Sequence, residues 1–164
     1  MTDAIHITPF APGYTEQVVD LILPIQREEF GIAITAADQP DLFDIPGFYQ
    51  RGGGNFWLAL HQGRVVGTIA LLDIGDGLGA LRKMFVHRDY RGKPFGAARA
   101  LLDTLRGWAR EQSMRAIYLG TTAKYLAAHR FYEKHGFREV AVAELPPAFP
   151  VMAVDTKFYA YEVV

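Results

Sequence analysis

The run from Asn55 to His87 narrows the possible folds more than any other part of the chain. "NFWLAL" and "RVVGTIALLD" are apolar segments flanking "HQG", a spacing that predicts two antiparallel strands joined by a tight turn at Gln62-Gly63. Gly75, Gly77 and Gly79 mark a second reversal, and "ALRKMFVH" then alternates as the third strand of a meander. The next segment supplies a cover for it. From Pro94 to about Gln112, the residues Phe95, Ala98, Leu101, Leu102, Leu105, Trp108 and Ala109 share one stripe. Arg99, Asp103, Arg106 and Arg110 lie largely opposite, as a helix packed on a sheet requires.

The flanks extend this plan. Ala4 to Pro9 alternates weakly as a first strand, and "YTEQVVDLILPIQREEFG" places Val18, Leu21, Ile22 and Ile25 at helical spacing, with Pro24 expected to kink or divide the helix. Between Ile32 and Gly54, Pro40, Pro46 and Gly52-Gly53-Gly54 interrupt short segments, which predicts helical turns and a mobile loop. "RAIYLGT" reads as a buried strand and Tyr125 to His135 as a second amphipathic helix, with Gly136 where a left-handed cap is wanted. "FREVAVAEL" and "TKFYAYEVV" supply closing strands. No repeat, linker or low-complexity segment intervenes, so one α/β domain over residues 1–164 is expected, with a mixed sheet and helices on both faces.

Composition removes several functions. A formal net charge of −1 argues against a general nucleic-acid binder. The absence of cysteine excludes a disulfide framework, a thiolate nucleophile and a thiolate-held metal, so any thiol chemistry has to arrive with a ligand. No run approaches the roughly 18 apolar residues of a membrane-spanning helix, and Met1 to Phe10 lacks the basic start and apolar core of a signal peptide. The default expectation is a cytoplasmic protein, with its oligomeric state left open, a homodimer included.

The segment "HRDYRGKPFGAARALL" adds chemistry to the plan. A strand, then Arg91-Gly92-Lys93, then a helix beginning at Pro94 gathers unpaired amides at a helix terminus, where the dipole also favours negative charge. Gly92 and Gly96 remove obstructing side chains, Ala97 and Ala98 keep the first turn thin, and Arg91 and Lys93 add positive charge. The competing reading is a plain chain reversal, since proline is common at the first helical position. A dinucleotide-binding GxGxxG and a Walker lysine are both absent.

Set in its order of elements, "LRKMFVHRDYRGKPFGAARALL" resembles the acyl-CoA binding segment of the GNAT acetyltransferase superfamily. Arg91 and Gly96 match the family pattern of Arg or Gln, two residues, Gly, one residue, then Gly or Ala. Pro94 departs from it by removing one amide donor. "AAHRFYEKHGF" resembles the family's later helix through Ala128, Tyr132, Gly136 and Phe137, whereas Tyr125 stands where an asparagine is frequent. The resemblance runs from about Asn55 to the C-terminus and implies a mostly antiparallel central sheet of about seven strands. It also implies acetyl-CoA as cosubstrate, its pantetheine arm along Met84, Phe85 and Val86, and its diphosphate held by Arg91 and the amides of Gly92, Lys93, Phe95, Gly96 and Ala97. The thioester would lie near Tyr132.

The implied reaction is direct transfer of an acetyl group from acetyl-CoA to a primary amine of a small molecule or peptide. A lysine-like amine is neutral in only roughly one molecule in 2,500 at pH 7, so a proton acceptor is needed. Glu28, Glu29, Asp73, His87 and a water chain are candidates, although charged residues at element ends are usually solvated surface. Tyr132 is the candidate catalytic residue, giving the departing thiolate a proton or a hydrogen bond. The alternative for Tyr132 is a half-buried helix tyrosine with a backbone partner. For His129 and His135, solvated or capping roles outweigh metal binding, and no metal is expected.

Acceptor choice is expected in "GIAITAADQPDLFDIPGFYQRGGG" and "ELPPAFPVMAVDTKFYAYE", where Phe43, Phe48, Tyr49, Phe149 and Tyr159 either line a pocket or join the core. Asp38, Asp41 and Asp44 suit a cationic amine or simply solvate a loop. The alternative to an enzyme is a non-catalytic acyl-CoA-binding regulatory module.

Overall fold

The computed structural model describes residues 4–163; Met1–Asp3 and Val164, which belong to the expected domain and closing strand, lie outside the described residues. The predicted meander is present as β2 (Asn55–His61), β3 (Arg64–Gly75) and β4 (Leu78–Val86). Around it the chain adds β1 (His6–Pro9), β5 (Ala116–Thr121), β6 (Arg138–Val140) and β7 (Lys157–Glu162). The seven strands form one sheet in the order β1-β2-β3-β4-β5-β7-β6. Every neighbouring pair is antiparallel except β4 with β5.

Both faces are covered, as the sequence predicts. On one, α3 (Ala97–Glu111) lays Ala97, Leu101, Leu102, Leu105 and Ala109 against Trp57, Ile69, Leu71 and Ile117, and α4 (Leu126–Lys134) adds Tyr132. On the other, α1 (Thr15–Pro24) and α2 (Ile45–Phe48) bring Val18, Leu21, Ile22 and Ile45 onto Phe56, Leu58 and Ala70. Burying a side chain of this size stabilises by about 2 kcal/mol. Strand β3 has Val65 to Leu71 buried continuously because it lies inside the sheet under both layers.

Three expectations change, and the one for Pro24 holds. The helix predicted from Pro94 begins three residues later, at Ala97, because Gly96 is left-handed (φ 63°) and so cannot belong to an α-helix. Gly96 closes a turn on the Gly92 carbonyl at 3.0 Å. As expected, Pro24 divides its helix by ending α1, after which residues Ile25–Glu29 form a π turn. The segment 32–54 contains the predicted helical turns, yet Leu42, Ile45 and Tyr49 are fully buried, so it is packed into the core and is not a loose loop. "FREVAVAEL" is a strand only at Arg138–Val140, and a 3-10 turn, Val142–Glu144, follows it.

Strand β4 is irregular in two respects. Thr68 pairs with Phe85 and Ala70 with Arg82, so β4 carries one extra residue opposite β3. The bulge falls where Lys83 is left-handed (φ 53°) and its carbonyl accepts the Thr68 hydroxyl at 2.7 Å. An extra residue bends the strand and re-aims its side chains. Pairing of β4 with β5 is confined to Leu78–Ala80 against Ala116–Tyr118, and beyond it the strands part.

Candidate active site

The gap between the diverging ends of β4 and β5 is the mouth of a cavity of about 380 Å³. From β4 come Leu81 to Val86, and from β5 Leu119, Gly120 and Thr121. One end reaches Arg91, Gly92 and Ala98, beside the start of α3, and the other reaches Phe149, Met152 and Asp155. Ile25, Gln26 and Phe30 contribute from the π turn, and Tyr125, Ala128 and Tyr132 from the start and face of α4.

The helix-start end suits an anion. The first main-chain bond into α3 runs from the Ala100 N–H to the Gly96 carbonyl at 3.0 Å, which leaves the amides of Ala97, Ala98 and Arg99 without an intrahelical acceptor. Nothing lies within 4 Å of where a Cβ would stand on Gly92 or Gly96, so the backbone is open to close approach. The Gly96 amide is already bonded within its turn. Arg91 donates from Nε to the Val86 carbonyl at 2.8 Å and grips both carboxylate oxygens of Glu29 through its two terminal nitrogens.

Of the residues expected to bind cofactor, Met84, Phe85, Val86, Arg91 and Gly92 line the cavity, whereas Lys93, Phe95, Gly96 and Ala97 sit beside it. Phe95 instead packs on Tyr90 at 4.7 Å and on His61 at 5.4 Å. Tyr132 lies in the wall, 5.5 Å from Phe137 and 5.9 Å from Tyr159 between ring centroids. Its hydroxyl makes no hydrogen bond to another described residue, so the backbone partner of the alternative reading is not found. Burial, with a smaller contribution from Tyr125, pushes its pKa up and keeps the phenol protonated. Tyr125 packs edge-on against Phe30 at 4.7 Å.

The suggested proton acceptors are dispersed. Glu29 is held by Arg91, whose hydrogen bonds keep its carboxyl below the ordinary value. Asp73 accepts the amides of Gly53 at 2.8 Å and Gly75 at 2.9 Å. His87 accepts the Asp89 amide at 3.1 Å, and Glu28 lines a separate surface depression. None of them borders the cavity. His129 is buried, with Nε2 2.9 Å from the Thr122 carbonyl, and the His135 carbonyl accepts from Arg106 at 2.8 Å.

Among the suggested acceptor-site aromatics only Phe149 reaches the cavity. Phe43 is exposed, Tyr49 is buried on Asp41 at 2.6 Å, and Tyr159 is buried on Glu133 at 2.6 Å. The loop acids are also occupied: Asp38 binds Thr35, Asp44 caps the Gly47 amide at 3.1 Å, and Asp41 lies 3.6 Å from Lys83. Sequence reasoning missed Arg82, Lys83 and Asp155. Two adjacent cations inside the apolar run "ALRKMFVH" were the available signal.

The family model described as "Acetyltransferase (GNAT) family" matches residues 19–137. The chain belongs to that family. A crystallised GNAT-family acetyltransferase from Staphylococcus aureus MU50 superposes with a TM-score of 0.94 at 40% identity, covering 98% of this chain and all of that one. An acetyltransferase from Streptococcus agalactiae 2603 gives 0.92 at 34% identity, covering 98% and 99%. N-acetylaspartate synthetase of Xenopus tropicalis is 39% identical over 113 residues, which are 68% of this chain but only 41% of that protein. The GNAT fold in these relatives agrees with the sheet expected from the two motifs. Among the described residues, no helix is long and apolar enough to cross a membrane.

Proposed function

We propose that this GNAT chain transfers an acetyl group from acetyl-CoA directly to the primary amine of a small molecule or peptide. The observation that carries the reading is the continuous cavity from the helix start at Arg91 and Gly92, past Tyr132, to Phe149 and Asp155. Acetyl-CoA would supply the activated acyl group as a thioester. In this reading Arg91 and the amides at Gly92, Lys93, Phe95 and Ala97, with Ala98 added, hold the diphosphate. Met84, Phe85 and Val86 form one wall for the pantetheine arm. Gly96 contributes room for the approach.

Tyr132 acts as the proton or hydrogen-bond donor to the departing sulfur. Its unshared hydroxyl and raised pKa favour a hydrogen bond over full ionisation of the phenol. The relatives called N-acetylaspartate synthetase support an acceptor of amino-acid size. A cytoplasmic setting, where acetyl-CoA is met, completes the reading.

The test is release of free thiol from acetyl-CoA across an amine panel. Acceptor-dependent release is expected, with mass spectrometry locating the acetyl group on nitrogen. Tight acetyl-CoA binding without release for any amine would make the chain an acyl-CoA-binding regulatory module.

A further inference from the structure

The end of the cavity away from the helix start carries a cation that makes no salt bridge with a described residue. Four charged residues line the cavity: Arg82, Lys83, Arg91 and Asp155. Lys83 is occupied by Gln39 and Asp41, and Arg91 by Glu29. Arg82 forms no ion pair with a described residue. Its guanidinium lies over the rings of Phe48 and Tyr49, 5.6 Å and 5.8 Å from their centroids, and one Nη donates to the Met152 sulfur at 3.4 Å. The rings fix the plane of the fork but take none of its N–H groups, and a thioether is a weak acceptor.

Strand register places this fork opposite an acid. The last β4–β5 pair is Ala80 with Tyr118, so two residues further on Arg82 and Gly120 face one another across the gap. The Asp155 carboxylate covers Gly120, with Oδ2 2.5 Å from where a Cβ would stand. Oδ2 also accepts the Met152 amide at 2.9 Å. The second unpaired rung of the split sheet therefore has a cation on one side and a carboxylate on the other, a match for a zwitterion.

We propose that the acetyl acceptor is a free amino acid whose carboxylate is gripped by Arg82 while its amino group faces Asp155. This rests on the acetyltransferase reading above. A planar fork with unspent donors selects a carboxylate, and its unpaired charge repels a polyamine. An amidated acceptor would leave the fork desolvated with nothing to bind.

The experiment compares thiol release with glycine, L-aspartate, their amides and spermidine. For the parent protein the acids are expected to exceed the amides in kcat/KM by roughly 10- to 100-fold, the range of a hydrogen bond to a charged group. The less basic amine of an amide would otherwise favour it. Arg82→Gln is expected to erase that preference by raising KM for the acids while leaving KM for acetyl-CoA in place, with circular dichroism checking the fold. Better turnover of amides or spermidine than of acids by the parent would overturn this inference and leave the acetyltransferase reading standing. An unchanged acid preference in Arg82→Gln would do the same. No amine-dependent release with any compound of the set would overturn both.

Discussion

The Lys83 ammonium lies 3.6 Å from the Asp41 carboxylate with both side chains buried, 7% and 6% exposed. Burial lowers the Lys83 pKa to about 8 from the ordinary 10.5, against the opposing pull of Asp41. Between those values the unfolded chain binds the proton that the folded chain has released, so the Lys83 contribution makes stability rise with pH from about 8 to about 10.5. The full difference is about 3 kcal/mol. Urea titrations of the parent and Lys83→Met at pH 7, 9 and 10.5 should diverge in that direction. At pH 7 the single substitution strands a buried carboxylate and should cost about 3 kcal/mol. Adding Asp41→Asn should recover part of it.

Tyr132→Phe separates function from stability. The hydroxyl makes no hydrogen bond to a described residue, so chemical denaturation should change by less than about 0.5 kcal/mol. In a chemistry-limited assay kcat should fall by about 100-fold, the low end for removal of a positioned proton donor. Unchanged turnover would take Tyr132 out of the mechanism.

Glu29 reports on acid stability. Its bonds to Arg91 lower the carboxyl below the ordinary 4.5, so its contribution is present above that value and is lost as pH falls through the depressed one. Glu29→Gln should lower the melting temperature at pH 6 by an amount worth less than about 1 kcal/mol. The gap from the parent should close toward pH 3.

Two glycines should respond in opposite senses. A Cβ on Gly54 would stand 2.3 Å from the Tyr49 carbonyl and 2.7 Å from the Leu71 carbonyl, both backbone atoms. Gly54→Ala should destabilise by about 3 kcal/mol or more. Gly107, inside α3, has nothing within 4 Å of its Cβ position, and Gly107→Ala should stabilise by about 0.5–1 kcal/mol. Urea midpoints read both.

Gly96→Val tests the anion end. The left-handed backbone should cost about 1–2 kcal/mol of stability, and the branched side chain narrows the approach to the amides of α3. Isothermal titration should show coenzyme A binding weakened by about 10-fold, the equivalent of one hydrogen bond.

Local pattern in the chain foretold those elements whose own side chains decide them. The meander, the stripe on α3 and Gly136 with φ 92° all follow from periodicity and turn chemistry. Residues 32–54 were harder, because their glycines and prolines signal irregular backbone while the burial of Tyr49 depends on Asp41 and Phe56, which sit on other elements. Helix α3 starts late because of Gly96, whose left-handed state comes from a turn closed by Gly92. Arg82 and Asp155 are 73 positions apart in number, and only the departure of β5 from β4 brings them to one cavity. That kind of neighbourhood leaves no periodic trace.

Among the described residues, the paired strands on the two sides of the sheet meet only in three rungs, Leu78–Ala80 against Ala116–Tyr118, extended by the Arg115 amide on the Gly77 carbonyl at 2.6 Å. Each side is an antiparallel ribbon that can hold its own bonds, so warming should unzip this seam before either ribbon melts. The candidate cleft would then be dismantled in a molecule that still has its secondary structure. Heat inactivation should precede the far-ultraviolet transition, with the amides of Ala116 to Tyr118 exchanging ahead of those in β3; coincident curves would mean that the two ribbons come apart only when everything does.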